Sequence, residues 1–491
     1  MSENVNKPEK KERPLKEMTT GLALLGFLAP ICVLIVLIIV GADVTVAALG
    51  ALFVMIAFCI FMGYKWNDID DAMADGVKQV ATAMMIMLLV GCLSAVWMSS
   101  GTIPSLLYYG MKIITPKLFL PICFILPAFM AVCAGTSFGA ISTIGVVLCG
   151  MAPGLGIPLP WAAGAIISGA FFGDKMSPLS DTTLLASASC DVPLFDHIKS
   201  MWYTTIPGTI ICLIVYAILG ARASGNFDMA AAEELSNGLA NTFNISILHF
   251  IPVILVLVLS IIRVPAMITF GVGIGFSVIW SMIFQGHGFV ENLGYILNGF
   301  STESGVAAVD KLVNRGGFSS MLSLVGILIV LGLLSGLFTK SGVLVTLVNK
   351  LSKKLNTPGS ILCGTWISSL LICLIGGQYP AIAIPAVAFK EICDEKNINR
   401  AVLSRTLEDV GTMVAAIVPW SAWVIGYGVV LGGSGTPISV AEFIPFTFLP
   451  MLCPILSLIF NFIGYGRLKK DEPVKYRPFG SRKAKKASEE A

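Results

Sequence analysis

The sequence predicts an all-α integral membrane protein. It should be built as two inverted repeats, each of about five transmembrane helices plus a helical hairpin, with broken helices at the midplane. Three observations carry that expectation. Hydrophobic residues make up 56% of the 491-residue chain and charged residues only 12%, against roughly 25% charged in an average soluble domain. Residues 21–41 run without a charge, long enough to cross a hydrocarbon core of about 30 Å, and similar runs recur to the end. A constant offset of 241 positions aligns Gly91 with Gly332, Gly101 with Gly342, Gly135 with Gly376, Ile157 with Ile398, Pro178 with Pro419 and Ser180 with Ser421 without a gap.

The apolar segments fall at 21–41, 44–64, 77–98, 118–150, 157–190, 201–220, 245–261, 264–284, 320–338, 359–392, 400–431 and 442–465. The first lacks a small-residue cleavage site and reads as a retained helix rather than a signal peptide. Segments 118–150 and 359–392 are too long for one span and carry helix-disrupting residues: Pro121, Pro127 and Gly135 in one, Gly376, Gly377, Pro380 and Pro385 in the other. Each is expected to be a hairpin or two short spans. The chain then divides into a tail at 1–20, a first repeat at 21–220, a connecting loop at 221–244, a second repeat at 245–465 and a basic tail at 466–491.

Charge sets the topology. Lysines concentrate at both ends, which places both termini in the cytoplasm by the positive-inside rule. Three spans later the loop 99–117 should lie outside. Its repeat partner, 339–358, holds Lys340, Lys350, Lys353 and Lys354 and should lie inside. An odd number of crossings must separate them, which inverted halves with hairpins supply. Asp68, Asp70, Asp71 and Asp75 read as an acidic cytoplasmic loop, and Trp97, Trp202 and Trp366 as an aromatic belt. With a net charge of only +3, the basic ends are not nucleic-acid arms. The twelve cysteines sit mostly in apolar runs and read as packing residues, with no CxxC or Cys/His cluster to hold a metal. Gly271-Val272-Gly273-Ile274-Gly275 mimics part of a dinucleotide loop, yet no strand precedes it, so helix packing accounts for it.

Polar residues at membrane depth carry the chemistry. A charge at the centre of a span costs roughly 2.5–3.5 kcal/mol even on the mildest scale. The stretch 162–188 nevertheless holds Asp174, Lys175 and Asp181 at its centre, with Ser177, Ser180, Thr182 and Thr183 around them and Pro178 in the middle. Proline removes a backbone donor and breaks the helix. Carbonyls freed near residue 174, with carboxylates and hydroxyls beside them, suit a small cation. A carboxylate that binds the cation can take a proton when the cation leaves, which couples the two by competition. Lys175 is expected to neutralise one of the two aspartates or to snorkel to an interface.

The second half carries Arg405, Glu408, Asp409 and Thr412, then Val418-Pro419-Trp420-Ser421, with Pro419 in the register of Pro178. Asp409, Thr412 and Ser421 are therefore candidate substrate or coupling residues. Arg405 and Glu408 read as structural, Arg405 being spaced to pair with Asp409 at i, i+4. Thr136, Ser137 and Gln378 lie at the breaks of the long segments, where helix N-termini favour anionic groups. They complete the list. No nucleotide-binding motif supplies energy, so an ion gradient must. Neither a nucleophile–base pair for an enzyme nor any need of a channel explains carboxylates beside broken helices in both halves.

The run Gly173-Asp174-Lys175-Met176-Ser177-Pro178-Leu179-Ser180-Asp181-Thr182-Thr183 resembles the signature of the NhaC family of sodium/proton antiporters, whose wider superfamily includes malate/lactate antiporters. Leu403–Thr412 with Val418-Pro419-Trp420 resembles the same family, and the likeness extends from about residue 21 to 465. It implies inverted repeats, each with a hairpin and a broken helix, and alternating access. Two departures stand at Leu184, where the family often has Asn, and at Ser421-Ala422-Trp423, where it often continues with Asn and a Cys-Gly pair.

The resulting expectation is a secondary sodium/proton antiporter of the bacterial cytoplasmic membrane, with the bilayer and a small ion or molecule as its partners and a homodimer allowed. Sodium and protons are the transported or coupling ions, and no cofactor is called for. The alternative, favoured by the hairpin tips and the two departures, is sodium- or proton-coupled transport of a small organic acid or amino acid.

Overall fold

A computed structural model describes residues 15–113, 115–223, 229–262, 264–432 and 438–475. Those residues are helical with no strand among them, and nine helices are long and apolar enough to cross a membrane, or up to eleven when two bent pairs each count as one span.

The breaks fall where backbone chemistry requires them. The helix Leu159–Met176 stops at Ser177, whose φ of −81° and ψ of 130° are extended, because the ring of Pro178 excludes the α region for the residue before it. A second arm starts at Asp181 and runs to Ser189. In the second half Arg400–Ala415 ends before Pro419 and the chain resumes as Ala422–Gly432. The segment 118–150 divides at Gly135, which adopts φ 71° between Pro116–Ala134 and Ser137–Leu155. The segment 359–392 divides at Gly377, with φ 74° and ψ −171°, a combination open essentially to glycine alone. Its arms, Pro358–Gly376 and Gln378–Glu395, pack against each other across that residue. Helix starts in the two halves recur near the sequence offset: Ser137 and Gln378, Leu159 and Arg400, and Asp181 and Ala422 each lie 241 residues apart.

Close packing comes from small residues, as expected where lipid offers no hydrophobic drive between helices. A Cβ added to Gly169 would sit 2.0 Å from the carbonyl oxygen of Phe124, and one on Gly173 would sit 2.2 Å from that of Ala128. The Leu159–Met176 helix is thereby clamped on Pro116–Ala134. Gly336 and Gly76 do the same between Leu322–Lys340 and Trp66–Ser99, each Cβ falling 2.0 Å from a carbonyl of the other helix. Buried apolar side chains form two clusters, one drawn from Met87 to Cys212 and from second-half residues as far as Cys453, the other from Phe27 to Ala72 with Val330 to Val348 and much of Ile361 to Val418. The first broken helix crosses between them: Ala162–Phe171 belongs to one, Ala186 and Cys190 to the other.

Several sequence expectations are corrected. The acidic stretch at Asp68–Asp75 is not a loop: it opens the 34-residue helix Trp66–Ser99, about 50 Å long at 1.5 Å per residue and so longer than the hydrocarbon core. The supposed loop 99–117 holds the helix Thr102–Ile113, with Thr102, Ile103 and Ser105 buried. The connecting loop 221–244 is largely the helix Met229–Thr242, residues 224–228 lying outside those described. Trp97 is no belt residue, because it is 1% exposed within the first cluster. The tails are described only at 15–20 and 466–475. The second of these segments is packed: Leu468 is buried and its carbonyl accepts the Asn399 N–H at 3.0 Å.

A candidate ion site between two broken helices

Asp174 lies in the last turn of Leu159–Met176, with a side chain buried to 6% exposure. Its Oδ2 accepts the backbone N–H of Ser137 at 3.1 Å. Ser137 is the first residue of the helix that resumes after Gly135, so the positive end of that helix is turned on the carboxylate. Asp174 Oδ1 is buried and has no hydrogen-bond partner among the described residues. The tip, read from the sequence as a substrate contact, holds this protein's own aspartate, and Thr136 and Ser137 also face the cavity beside it.

Asp181 opens the second arm and is exposed. Its Oδ1 accepts the Thr182 N–H at 2.9 Å, and the Tyr379 hydroxyl donates to its Oδ2. Tyr379 stands just past the Gly377 break. Each interrupted pair therefore holds one carboxylate of the same broken helix, the first through Ser137 and the second through Tyr379. Asp174 and Asp181 line one cavity of about 300 Å³ together with Thr136, Ser137, Gln378, Tyr379 and Gln79. Ser421 lines an adjoining cavity of about 100 Å³ that shares Gln79, Gln378 and Tyr379 with the first.

The hydroxyls of the motif have other partners. Ser177 Oγ donates to the Val132 carbonyl at 2.7 Å and accepts the Leu179 N–H at 3.2 Å, which pins the bend. Thr183 Oγ1 donates to the carbonyl of Lys175 at 3.1 Å, capping an acceptor that the proline break releases. Ser180 and Thr182 hydroxyls are 3.0 Å apart. Thr182 Oγ1 then donates to Glu408 Oε1 at 3.0 Å, and Thr412 Oγ1 donates to the same oxygen at 2.8 Å. None of these four motif hydroxyl residues lines the cavity with the two aspartates.

The second broken helix is enclosed on every side: all residues from Ala401 to Val414 are buried. Asp409 forms an ion pair with Lys175 across 234 positions, and both side chains are fully buried. Thr204 Oγ1 also donates to Asp409 Oδ1, at 2.7 Å. Lys175 thus neither neutralises Asp174 or Asp181 nor snorkels; it ties the first broken helix to the second. Arg405, expected to pair with Asp409, donates through Nη1 to the Gly466 carbonyl at 3.2 Å and stacks over the Tyr203 ring.

Glu408 was read from the sequence as structural. Its Oε2 is buried without a partner among the described residues, as is Asp409 Oδ2. Three carboxylates, Asp174, Glu408 and Asp409, thus each keep one open acceptor in the interior. Buried charges are ordinarily paired or ligated, and these three oxygens depart from that rule. Tyr379 was not selected from the sequence, although it is the polar neighbour of Gln378, which was.

The chain has close relatives among known proteins. The chain is 35% identical to the Na(+)/H(+) antiporter NhaC of Alkalihalophilus pseudofirmus, over 92% of this chain and 97% of that one. It is 36% identical to the malate-2H(+)/Na(+)-lactate antiporter of Bacillus subtilis, over 84% and 87%. It is 34% identical to the arginine/ornithine antiporter ArcD of Halobacterium salinarum, over 93% and 95%. A family model described as the Na+/H+ antiporter family matches residues 15–189 and 169–465. From its first described residue to the end of its last long helix, this chain belongs to the Na+/H+ antiporter family.

Proposed function

We propose that Asp174 and Asp181 are the exchanging carboxylates of a sodium/proton antiporter. Antiport of sodium against protons is the activity of the family to which the chain belongs. The observation that carries the residue assignment is the single cavity on which both aspartates open, one buried and one exposed, with Asp174 Oδ1 left without a partner. A carboxylate there binds sodium or a proton but not both, and that competition makes the exchange obligatory. Thr136, Ser137 and Gln378 supply neutral oxygens beside the ion. Ser177, Ser180, Thr182 and Thr183 hold the bend on which the carboxylates sit. Asp409 with Lys175, and Glu408 with Thr182 and Thr412, couple the two broken helices.

In this reading the halves, 21–220 and 245–465, are inverted repeats, the breaks lie near the midplane and the site is exposed alternately to each side. The recurrence of helix starts at 241 residues supports the repeat. The termini are cytoplasmic and the membrane is the bacterial inner one. The test is proton flux in proteoliposomes on addition of sodium. Asp174→Asn is expected to abolish the flux, and Asp181→Asn to lower it at least tenfold, the cost of removing about 1.4 kcal/mol of ion binding. Sodium-driven flux that survives both substitutions unchanged removes these residues from the mechanism.

A further inference from the structure

The cavity of about 300 Å³ is far larger than a sodium ion requires; the space of one liquid water is only about 30 Å³. Its charge is of one sign. Asp174 and Asp181 line it, and among the described residues no lysine, arginine or histidine does; the adjacent Lys175 is turned to Asp409. An organic anion entering here would meet two carboxylates and no counter-charge.

The remaining wall joins four aromatic residues to Val80, Thr82, Ile86 and Ala415. Phe138, Phe171, Trp423 and Tyr427 all line the cavity. Phe138 packs on Trp423 with ring centroids 5.2 Å apart, and Tyr427 packs on Phe138 and Phe171, each at 6.1 Å. Ring faces attract cations, and aromatic walls beside carboxylates are the usual way to recognise an alkylammonium or guanidinium group. A bare sodium ion instead seeks hard oxygen ligands and has no need of four rings.

We propose that the cavity also takes a monovalent organic cation, an alkylammonium or guanidinium ion, whose charge meets Asp174 and Asp181 while its hydrocarbon part lies on the four rings. The inference rests on the reading of the two aspartates as the exchange site, and it makes the organic cation a competitor and alternative cargo for sodium.

The test is uptake of radiolabelled sodium into proteoliposomes, challenged with tetramethylammonium, with methylguanidinium and with malonate as the anionic control. Both cations keep their charge and cannot carry protons across the bilayer. Competitive inhibition by either cation, with none by malonate, is expected. Trp423→Leu and Tyr427→Leu should each shift the ratio of cation inhibition constant to sodium KM roughly tenfold toward sodium. Two separate variants guard against one that fails to fold. Absence of competition, competition that neither substitution shifts, or exchange stimulated by malonate overturns the proposal. Sodium uptake that persists in Asp174→Asn would overturn the exchange reading instead, a result distinguishable from the first three.

Discussion

Removing one partner of the Lys175–Asp409 pair should be far more damaging than removing both. Each side chain is fully buried. In Lys175→Met the Asp409 carboxylate keeps only the Thr204 hydroxyl at 2.7 Å, and its Oδ2 already lacks a partner. In Asp409→Leu the ammonium of Lys175 loses its ion-pair partner. Stranding one buried charge costs about 3–5 kcal/mol, whereas exchanging a whole buried pair for apolar groups of similar volume is often neutral or better. The double variant Lys175→Met/Asp409→Leu should strand nothing, because Thr204 retains the Met201 carbonyl at 3.1 Å as an acceptor. It should therefore fall within roughly 1–2 kcal/mol of the parent, although each single variant loses about 3–5. Equilibrium unfolding in mixed detergent micelles measures all four corners of this cycle. Additive single costs, or a Lys175→Met variant that loses less than about 1 kcal/mol, would show that the pair is not the charge-neutral link inferred from its burial.

Other outcomes follow from equally local features. Gly135→Ala forces a side chain into φ 71° and brings its Cβ within 2.8–2.9 Å of Leu179, so a loss of at least about 2 kcal/mol is expected in the same unfolding assay. Glu408→Gln keeps an acceptor for Thr182 and Thr412 and should fold as the parent does; Glu408→Ala takes the acceptor from Thr412 and leaves Thr182 only the Ser180 hydroxyl, and should lose about 1–3 kcal/mol. Beyond the spans, hydrogen bonds from Arg400 to Asp394 and from Lys390 to Asp191 hold both carboxyls below their ordinary value of 3.8. A pKa depressed by folding stabilises above the unfolded value and loses that effect as pH falls through the folded one. The hydrogen-exchange protection factors of residues 466–475, which Lys470 ties to Asp394, should therefore be high near neutrality and fall only below about pH 4; protection already absent near neutrality would contradict it.

The interruptions were legible because they depend on single residues. Pro178 and Pro419 stand at breaks, although Pro121, Pro127 and Pro385, read as equally disruptive, lie inside continuous helices, and Gly135 and Gly377 allow backbone angles that other residues resist. The polar motif was legible because a charge in an apolar run has no bland explanation. What escaped was pairing across the molecule. Nothing local distinguishes Lys175 facing Asp409 from Lys175 facing Asp174, since the two partners lie 234 positions apart. Arg405 and Asp409 have the spacing of a helical ion pair, yet other elements outcompete it: Lys175 for the acid, Gly466 and Tyr203 for the base. Glu408 looked peripheral because hydropathy reports neither which helix is enclosed on all sides nor how deep a turn lies. The helix Thr102–Ile113 was hidden for the related reason that a short helix buried in protein need not be apolar enough to look like a span.

The contact between Gly135 and Leu179 joins the break of the first helical pair to the bend of the first broken helix. No side chain stands between them: the missing Cβ is the space that Leu179 occupies. Two moving parts separated by a long side chain can slip, because a rotamer change absorbs the displacement. Backbone seated against a glycine has no such slack. Any displacement of the Asp174–Asp181 bend must shift the Ser137 helix start with it. Position 135 is thus a bearing surface, and its tolerance is smaller than a methyl group.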